Sequence, residues 1–125
     1  MTLSTQMYSL LSGSTSVTSQ VGTRIYPVTL PQDVRLPAIR YDLISNIREW
    51  AMTQDTGDVT ARVQITSWGR TPDEAENVSE GVRAAVQRVI TAGGLECFLE
   101  NELLDYDSET GTYAHSLDVI VHYTE

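Results

Sequence analysis

Lysine is missing from the 125-residue chain, and all eight of its basic residues are arginines. This absence excludes a phosphate-binding loop of the GxxxxGK type, in which the lysine reaches the phosphates directly. The glycine patterns GxGxxG and GxSxG, typical of dinucleotide-binding folds and of serine hydrolases, are missing as well. The chain therefore contains no motif for nucleotide chemistry or acyl transfer.

Cysteine and long apolar runs are also scarce. The single cysteine, Cys97, excludes an internal disulfide framework and fits a reducing compartment. No basic residue lies near Cys97 in the sequence, so we expect an unreactive thiol that fills the core or the sheet. The N-terminal stretch MTLSTQMYSLLSG lacks the basic start and the apolar stretch of a signal peptide, and we expect no membrane span.

Positive charge is sparse and unevenly distributed. The formal net charge is -9, from eight basic and 17 acidic residues. Residues 1–72 carry six arginines and five acids, a net +1, whereas residues 73–125 carry two arginines and twelve acids, a net -10. Binding to nucleic acid through its phosphates needs clustered basic side chains, so this composition argues against it. The acidity indicates either an ordinary solvated surface, or one that repels an anion or meets a basic partner.

The densest acidic run does not indicate a catalytic or metal site. It consists of Glu96, Glu100, Glu102, Asp105 and Asp107. Its spacing differs from that of a calcium-binding loop, and no pair within it is distinguished as catalytic carboxylates. His115 and His122 lie an odd number of residues apart on a predicted strand, so they face opposite sides and cannot share a metal. We predict no catalytic residue, no cofactor and no metal.

Two helices are predicted near the N-terminus. Apolar residues recur at helical spacing from Leu3 to Leu11, and Gly13 is placed to end the helix. The segment STSVTSQVG predicts a second, short helix with Ser14 or Thr15 as its cap.

A longer helix is predicted from Pro72. Thr71 is the expected N-cap and Glu74 completes a capping box. The apolar stripe consists of Val78, Val82, Ala85, Val86 and Val89, and Gly93–Gly94 are expected to end the helix.

Strands make up the remainder. Alternating apolar residues predict strands over 39–47 and 59–66, and two further strands joined by DSETG. Ile25 and Tyr26 predict a short strand whose ending at Pro27 suits a sheet edge. The segment IREWAMTQDTGD is expected to form a hairpin loop. The predicted fold is α+β, a small two-layer sandwich of a mainly antiparallel sheet with one long helix packed across it plus the N-terminal helix. We expect residues 1–125 to form a single domain.

Two segments are candidate protein interfaces. Arg48, Trp50 and Met52 lie in the predicted hairpin loop, where Trp50 either folds back over the sheet edge or contacts another subunit. Trp68 closes its strand and either packs on a neighbouring subunit or lies under the proline-rich segment RIYPVTLPQDVRLPAIRY. Three prolines lower the conformational entropy of that segment, which predicts an ordered connection. Its candidate residues are Arg24, Tyr26, Pro27, Pro31, Arg35 and Pro37.

The order of these features resembles the tail-completion or tail-terminator family of long-tailed bacteriophages. That family has a helix, a polar segment ending in RIYP, a short proline-containing loop and a strand ending near a serine. The matching residues are Val17, Val21, Gly22, Arg24, Ile25, Tyr26, Pro27, Pro31, Leu36, Pro37, Ile39, Tyr41 and Ser45. The strand VQITSW and the helix TPDEAENVSEGVRAAV match as well. The resemblance covers most of the chain and is weaker from Gly94 onward.

The resemblance implies a structural role rather than an enzyme. Such proteins form a hexameric ring at the head-proximal end of the tail tube, where they stop tube growth and join the tail to the head. The implied partners are the major tail tube protein and the head–tail connector or stopper protein, and the implied location is the neck region of a virion assembled in the host cytoplasm. DNA passes through the lumen without specific binding, and the acidic run is expected to face this lumen or a basic partner.

Three alternatives remain open from the sequence. They are a head-completion or neck protein of the same virion, a small hydrolase or metal-dependent enzyme using the acidic strand, and an unrelated non-viral binding module.

Overall fold

The computed structural model describes residues 3–30, 34–50, 55–86, 89–90, 96–107 and 111–124. In chain order the elements are α1 (Leu3–Ser12), α2 (Thr15–Val21), β1 (Ile25–Pro27), β2 (Ala38–Trp50), β3 (Asp55–Gly69), α3 (Pro72–Val86), β4 (Val89–Ile90), β5 (Glu96–Asp107) and β6 (Thr112–Thr124). The longest of these helices, α3, packs across β3, β6 and β5, and contacts α1 and α2. This arrangement confirms the predicted α+β class.

The strands form a six-stranded sheet in the order β1-β2-β3-β6-β5-β4. The pairs β2–β3, β3–β6, β6–β5 and β5–β4 are all antiparallel, as predicted. β1 is the exception, because it pairs in parallel with the start of β2. The proline-rich segment supplies the crossover that a parallel pair requires. The short strands β1 and β4 therefore occupy the two outer positions of the sheet.

The core lies between α3 and the middle of the sheet. Side chains alternate along a strand and recur every three to four residues along a helix, so alternate residues of β3 and β6 meet the apolar stripe of α3. The buried cluster includes Ala61, Val63, Ile65, Val78, Val82, Val86, Leu117, Val119 and Val121. Met7, Leu11, Val17 and Val21 extend the cluster from α1 and α2. Burial of each larger aliphatic side chain contributes about 1.5–3 kcal/mol to folding.

The start of α3 follows the predicted cap with one difference. The Glu74 backbone N–H donates to the Thr71 hydroxyl at 3.1 Å. The Glu74 carboxylate accepts from the Arg70 backbone N–H at 3.1 Å, one residue earlier than a capping box requires. In α2, Ser14 occupies the N-cap position but makes no side-chain capping bond. Its hydroxyl lies 2.8 Å from that of Ser16 instead, and this local pairing replaces the cap.

Two boundary predictions were wrong. α3 ends at Val86, and Val89 pairs with Cys97 in β4 rather than continuing the helical stripe. β-branched residues such as Val89 and Ile90 suit a strand once a neighbouring strand offers a ladder. Gly93 and Gly94 lie outside the described residues.

The predicted hairpin loop is also shorter than expected. β2 continues to Trp50, which pairs with Asp55 of β3. Residues 47–50 belong to β2 because they pair with β3. Their sequence has no alternation of apolar and polar residues that would have predicted a strand.

Candidate assembly surfaces

The proline-rich segment is fastened to the rest of the fold through Arg24. The Arg24 Nε donates to the Pro37 carbonyl at 2.9 Å, and its Nη2 donates to the Gln20 carbonyl at 3.4 Å. These bonds tie the two ends of the segment to each other and to α2. Arg24 is therefore a brace, whereas Arg35 is exposed. The Leu36–Pro37 peptide bond is cis, and Pro31 lies outside the described residues.

The outer edge of β1 offers few free hydrogen-bond donors. The Ile25 N–H already donates to the Thr23 carbonyl at 2.9 Å, and Pro27 has no N–H. The Pro27 carbonyl accepts from Thr29 at 2.7 Å. Val28 follows with a φ of 67°, a left-handed conformation that strains a β-branched residue, and its side chain is exposed. Proline and a local turn thus protect this edge against extension of the backbone ladder.

The tryptophan candidates occupy different parts of the sheet. Trp68 is half-buried, and the Arg40 guanidinium lies over its ring, 5.8 Å from the centroid. Arg40 Nε also lies 3.2 Å from the Asp42 carboxylate, an ion pair without the alignment of a hydrogen bond. Arg48 and Trp50 lie within β2 rather than in a loop, and Met52 lies outside the described residues.

The side chains of the acidic run do not all lie on the same face of the sheet. Arg62, on the sheet face opposite the helices, forms an ion pair with Glu100 and lies 4.0 Å from Asp118. Glu102 pairs instead with Arg83 of α3 at 3.2 Å. In a regular strand, residues 100 and 102 would share a face, but a bulge between Leu99 and Asn101 shifts the register.

The remaining acids of the run lie on the face opposite the helices or at the strand end. Glu96 is paired in register with His122, Asp105 with Ala114, and Asp107 with Thr112. Imperfect apolar alternation in this strand was the one sequence signal of the bulge.

Exposed apolar side chains mark a surface that sequence reasoning missed. Among the described residues the large exposed hydrophobics are Tyr8, Val28, Leu43, Ile44, Phe98, Leu103, Leu104 and Tyr106. Half of this set lies on β5, whose outer edge, in the part of the chain that the structure describes, pairs with β4 at Cys97 and Glu96 alone. The stretch FLENELLDY could have revealed it, because its apolar residues fall on both faces of a strand.

Histidine and cysteine make structural contacts. His122 Nδ1 lies 2.9 Å from the Thr60 hydroxyl, and its ring meets the Phe98 ring edge-on. Cys97 is fully buried, and burial raises the pKa of its thiol to about 11. In the part of the chain that the structure describes, no three metal-binding side chains cluster, and no helix is long and apolar enough to cross a membrane.

Comparisons with known proteins show a family and a solved structure to which this chain is similar. A search of the curated proteins finds no match. Among solved structures, a chain of the virion of a native gene transfer agent particle is similar, with a TM-score of 0.75 and 12% identity. The similarity covers 95% of this chain and 92% of that chain, and at this identity it shows a shared fold. The sequence profile of the family described as tail completion protein gp17 matches residues 5–124, so the chain belongs to that family.

Proposed function

We propose that this structural tail protein of a virion forms a hexameric ring at the head-proximal end of the tail tube. The ring ends polymerisation of the tube and joins the tail to the head connector, and DNA passes through its lumen. The match to the tail completion family over residues 5–124 carries this proposal. Residues 1–125 act as one domain with a structural rather than a catalytic role.

The proposed partners are further copies of this chain, the major tail tube protein and the head–tail connector or stopper protein. Assembly takes place in the host cytoplasm, and the protein remains in the neck region of the virion. Exposed apolar side chains on β5 and near β1 support a role in protein contacts, because large apolar side chains that a single copy leaves exposed are often covered in assemblies.

We further propose that the sheet face opposite the helices lines the lumen. Glu96 and Asp105 lie on this face by register, and Glu100 pairs there with Arg62. A surface on which carboxylates outnumber or neutralise arginines repels the phosphates of DNA, which lets the duplex slide rather than bind.

Electron microscopy of tails carrying a labelled copy of this chain tests the assignment. We expect a ring of density at the head-proximal end of the tube. Label found only at the tail tip would refute the role. Label that remains on heads separated from tails would favour the alternative of a head-completion or neck protein.

Trp50 tests the contact to the tube or to a neighbouring subunit. We expect Trp50→Ala to lower the yield of joined particles at least tenfold, because aromatic anchors carry much of the binding free energy at interfaces. Trp50→Phe, which retains an aromatic ring, serves as the matched variant. Joining at the wild-type level with Trp50→Ala would remove Trp50 from the interface, and Arg48 and Met52 would then be tested in its place.

A further inference from the structure

We infer that neighbouring copies in the ring join edge to edge, with β1 of one copy seated against the free edge of β5 of the next. This inference rests on the proposed ring and names the two surfaces that close it. β5 has no strand partner on its outer side from Phe98 to Asp107 within the described residues. Such an edge presents unpaired backbone groups to which another chain can add.

The exposed apolar side chains divide between the two opposite edges of the sheet. Phe98, Leu103, Leu104 and Tyr106 lie on β5. The other four lie at the β1 edge: Val28 directly after β1, Leu43 and Ile44 on β2, and Tyr8 on α1, which contacts β1. Two different apolar patches on opposite sides of one molecule are what a head-to-tail interface buries when copies close into a ring.

The two edges have complementary steps. Among the described residues, β1 covers β2 at Ile39–Tyr41, and β4 covers β5 at Glu96–Cys97. Register through β3 and β6 places Tyr41 level with Glu102, and Asn46 level with Cys97. β1 and β4 therefore project from opposite ends of the sheet. When copies stand side by side, β4 of one copy and β1 of the next both lie along the outer edge of the same β5. They lie at different heights along it, so they do not overlap.

Strand direction and register specify the contact. β2, β3, β6 and β5 alternate in direction, so β1, which is parallel to β2, runs antiparallel to the β5 of a neighbour in the same orientation. We place the strands along the ring axis, so that neighbouring copies stand at the same height and no stagger arises between their strands. Tyr26 is level with Arg40, Thr66, Ser116 and finally Leu103, so Tyr26 of one copy meets Leu103 of the next.

Charge selects this pairing over the symmetric one. β5 carries five acids and no basic residue, so two β5 edges would repel each other. Arg35, three residues before β2 begins at Ala38, is exposed and offers an opposite charge. Because Ile25 and Pro27 leave β1 with few free donors, the contact is made mainly by side chains rather than by a continuous ladder.

Disulfide cross-linking between copies tests the register. The double variant Tyr26→Cys/Leu103→Cys, oxidised in the purified chain and in isolated tails, should give a ladder of covalent oligomers on a non-reducing gel. A disulfide requires the two Cα atoms to lie within roughly 7 Å, so it forms only where the two edges lie directly side by side at this register. Tyr26→Cys/Phe98→Cys is the matched control, because Phe98 lies about 15 Å further along the same edge. The parent chain, with Cys97 buried, controls for background.

The outcomes separate the two proposals. A ladder at least tenfold stronger for the Leu103 variant than for the Phe98 variant supports the edge contact. Rings visible by electron microscopy without that difference overturn the contact while the ring stands. If neither the purified chain nor the isolated tails show rings, both the proposed ring and the edge contact are overturned. Circular dichroism confirms folding, and if the double variant fails to fold, Leu103→Asp in the native background should abolish ring formation.

Discussion

Cys97 shows at the residue scale how burial alters chemistry. Its thiol is fully buried, and its pKa is raised from 9.0 to about 11 because burial disfavours the thiolate. The thiolate is the reactive form, so the folded chain should react with a thiol reagent at pH 8 at least 100-fold more slowly than the urea-unfolded chain. Equal rates would show that Cys97 is accessible in solution.

The same shift makes stability depend on pH in the alkaline range. The folded state binds the Cys97 proton more tightly than the unfolded state does, so stability from this source is complete below pH 9 and is lost as pH rises through about 11. The difference in unfolding free energy between the parent and Cys97→Ala should shrink from pH 8 to pH 10.5. A difference that is constant with pH would contradict the shift.

At the scale of elements, the crossing of α2 over α3 depends on Gly81. The Ser16 hydroxyl donates to the Gly81 carbonyl at 3.0 Å, and Gln20 Nε2 donates to the Asn77 carbonyl at 3.1 Å. A Cβ at Gly81 would clash with the Ser16 carbonyl oxygen.

Gly81→Ala should therefore destabilise the fold by about 1–3 kcal/mol through overpacking, measured by urea unfolding. Helix propensity alone predicts the opposite sign, a gain of about 1 kcal/mol. Glu80→Ala, at an exposed position of the same helix, should stay within about 0.5 kcal/mol of the parent. A stabilising Gly81→Ala would mean that the two helices are further apart.

The N-terminus of α3 gives a prediction in the acidic range. Burial raises the pKa of Glu74, but hydrogen bonds from the Arg70 backbone and side chain, with the Arg70 charge, outweigh it and hold the pKa below its usual value. Because the folded pKa is the lower one, this contribution is present above the ordinary pKa near 4.5 and is lost as pH falls through the folded pKa.

Glu74→Gln should thus lower the thermal unfolding temperature at pH 7 and have little effect at pH 2. Thr71→Ala, which removes the neutral half of the cap, should cost about 1 kcal/mol at both pH values. Equal effects of Glu74→Gln at the two pH values would show that the carboxylate charge is not involved.

At the scale of the whole molecule, the sheet order converts a charge imbalance along the chain into opposite edges. The near-neutral N-terminal part, with a net charge of +1 over residues 1–72, supplies β1 and β2, and the acidic C-terminal part supplies β5 at the other side. In the ring proposed above, each interface joins a near-neutral edge to an acidic edge.

A charge-swap cycle tests this arrangement. Asp105 is level with Ala38 across the sheet, close to Arg35 in sequence. Arg35→Glu and Asp105→Arg should each weaken ring assembly severalfold, measured by light scattering at low salt, and the double variant should restore most of it. Raising ionic strength should reduce the effect, because salt screens exposed charges. If the two single effects simply add in the double variant, without rescue, Arg35 and Asp105 do not interact across the interface.

Local signals in the sequence were sufficient for most elements. The Thr71 cap, the valine stripe of α3 and the alternation of β3 and β6 predicted those elements and the α+β class. They succeed because capping, helical period and strand period depend on residues a few positions apart. The run RIYPVTLPQDVRLPAIRY was predicted to be a rigid connection, and Arg24 is the brace that fastens it.

The sequence by itself therefore determined the family, the fold class and the charge imbalance of this protein. The tertiary structure alone decided that β1 lies parallel to β2, that Val89 joins a strand, and that Glu100 and Glu102 face opposite ways. It also decided which apolar side chains stay uncovered. The reason is that strand neighbours, a bulge and a free edge depend on contacts between segments far apart in the chain, which no local spacing encodes.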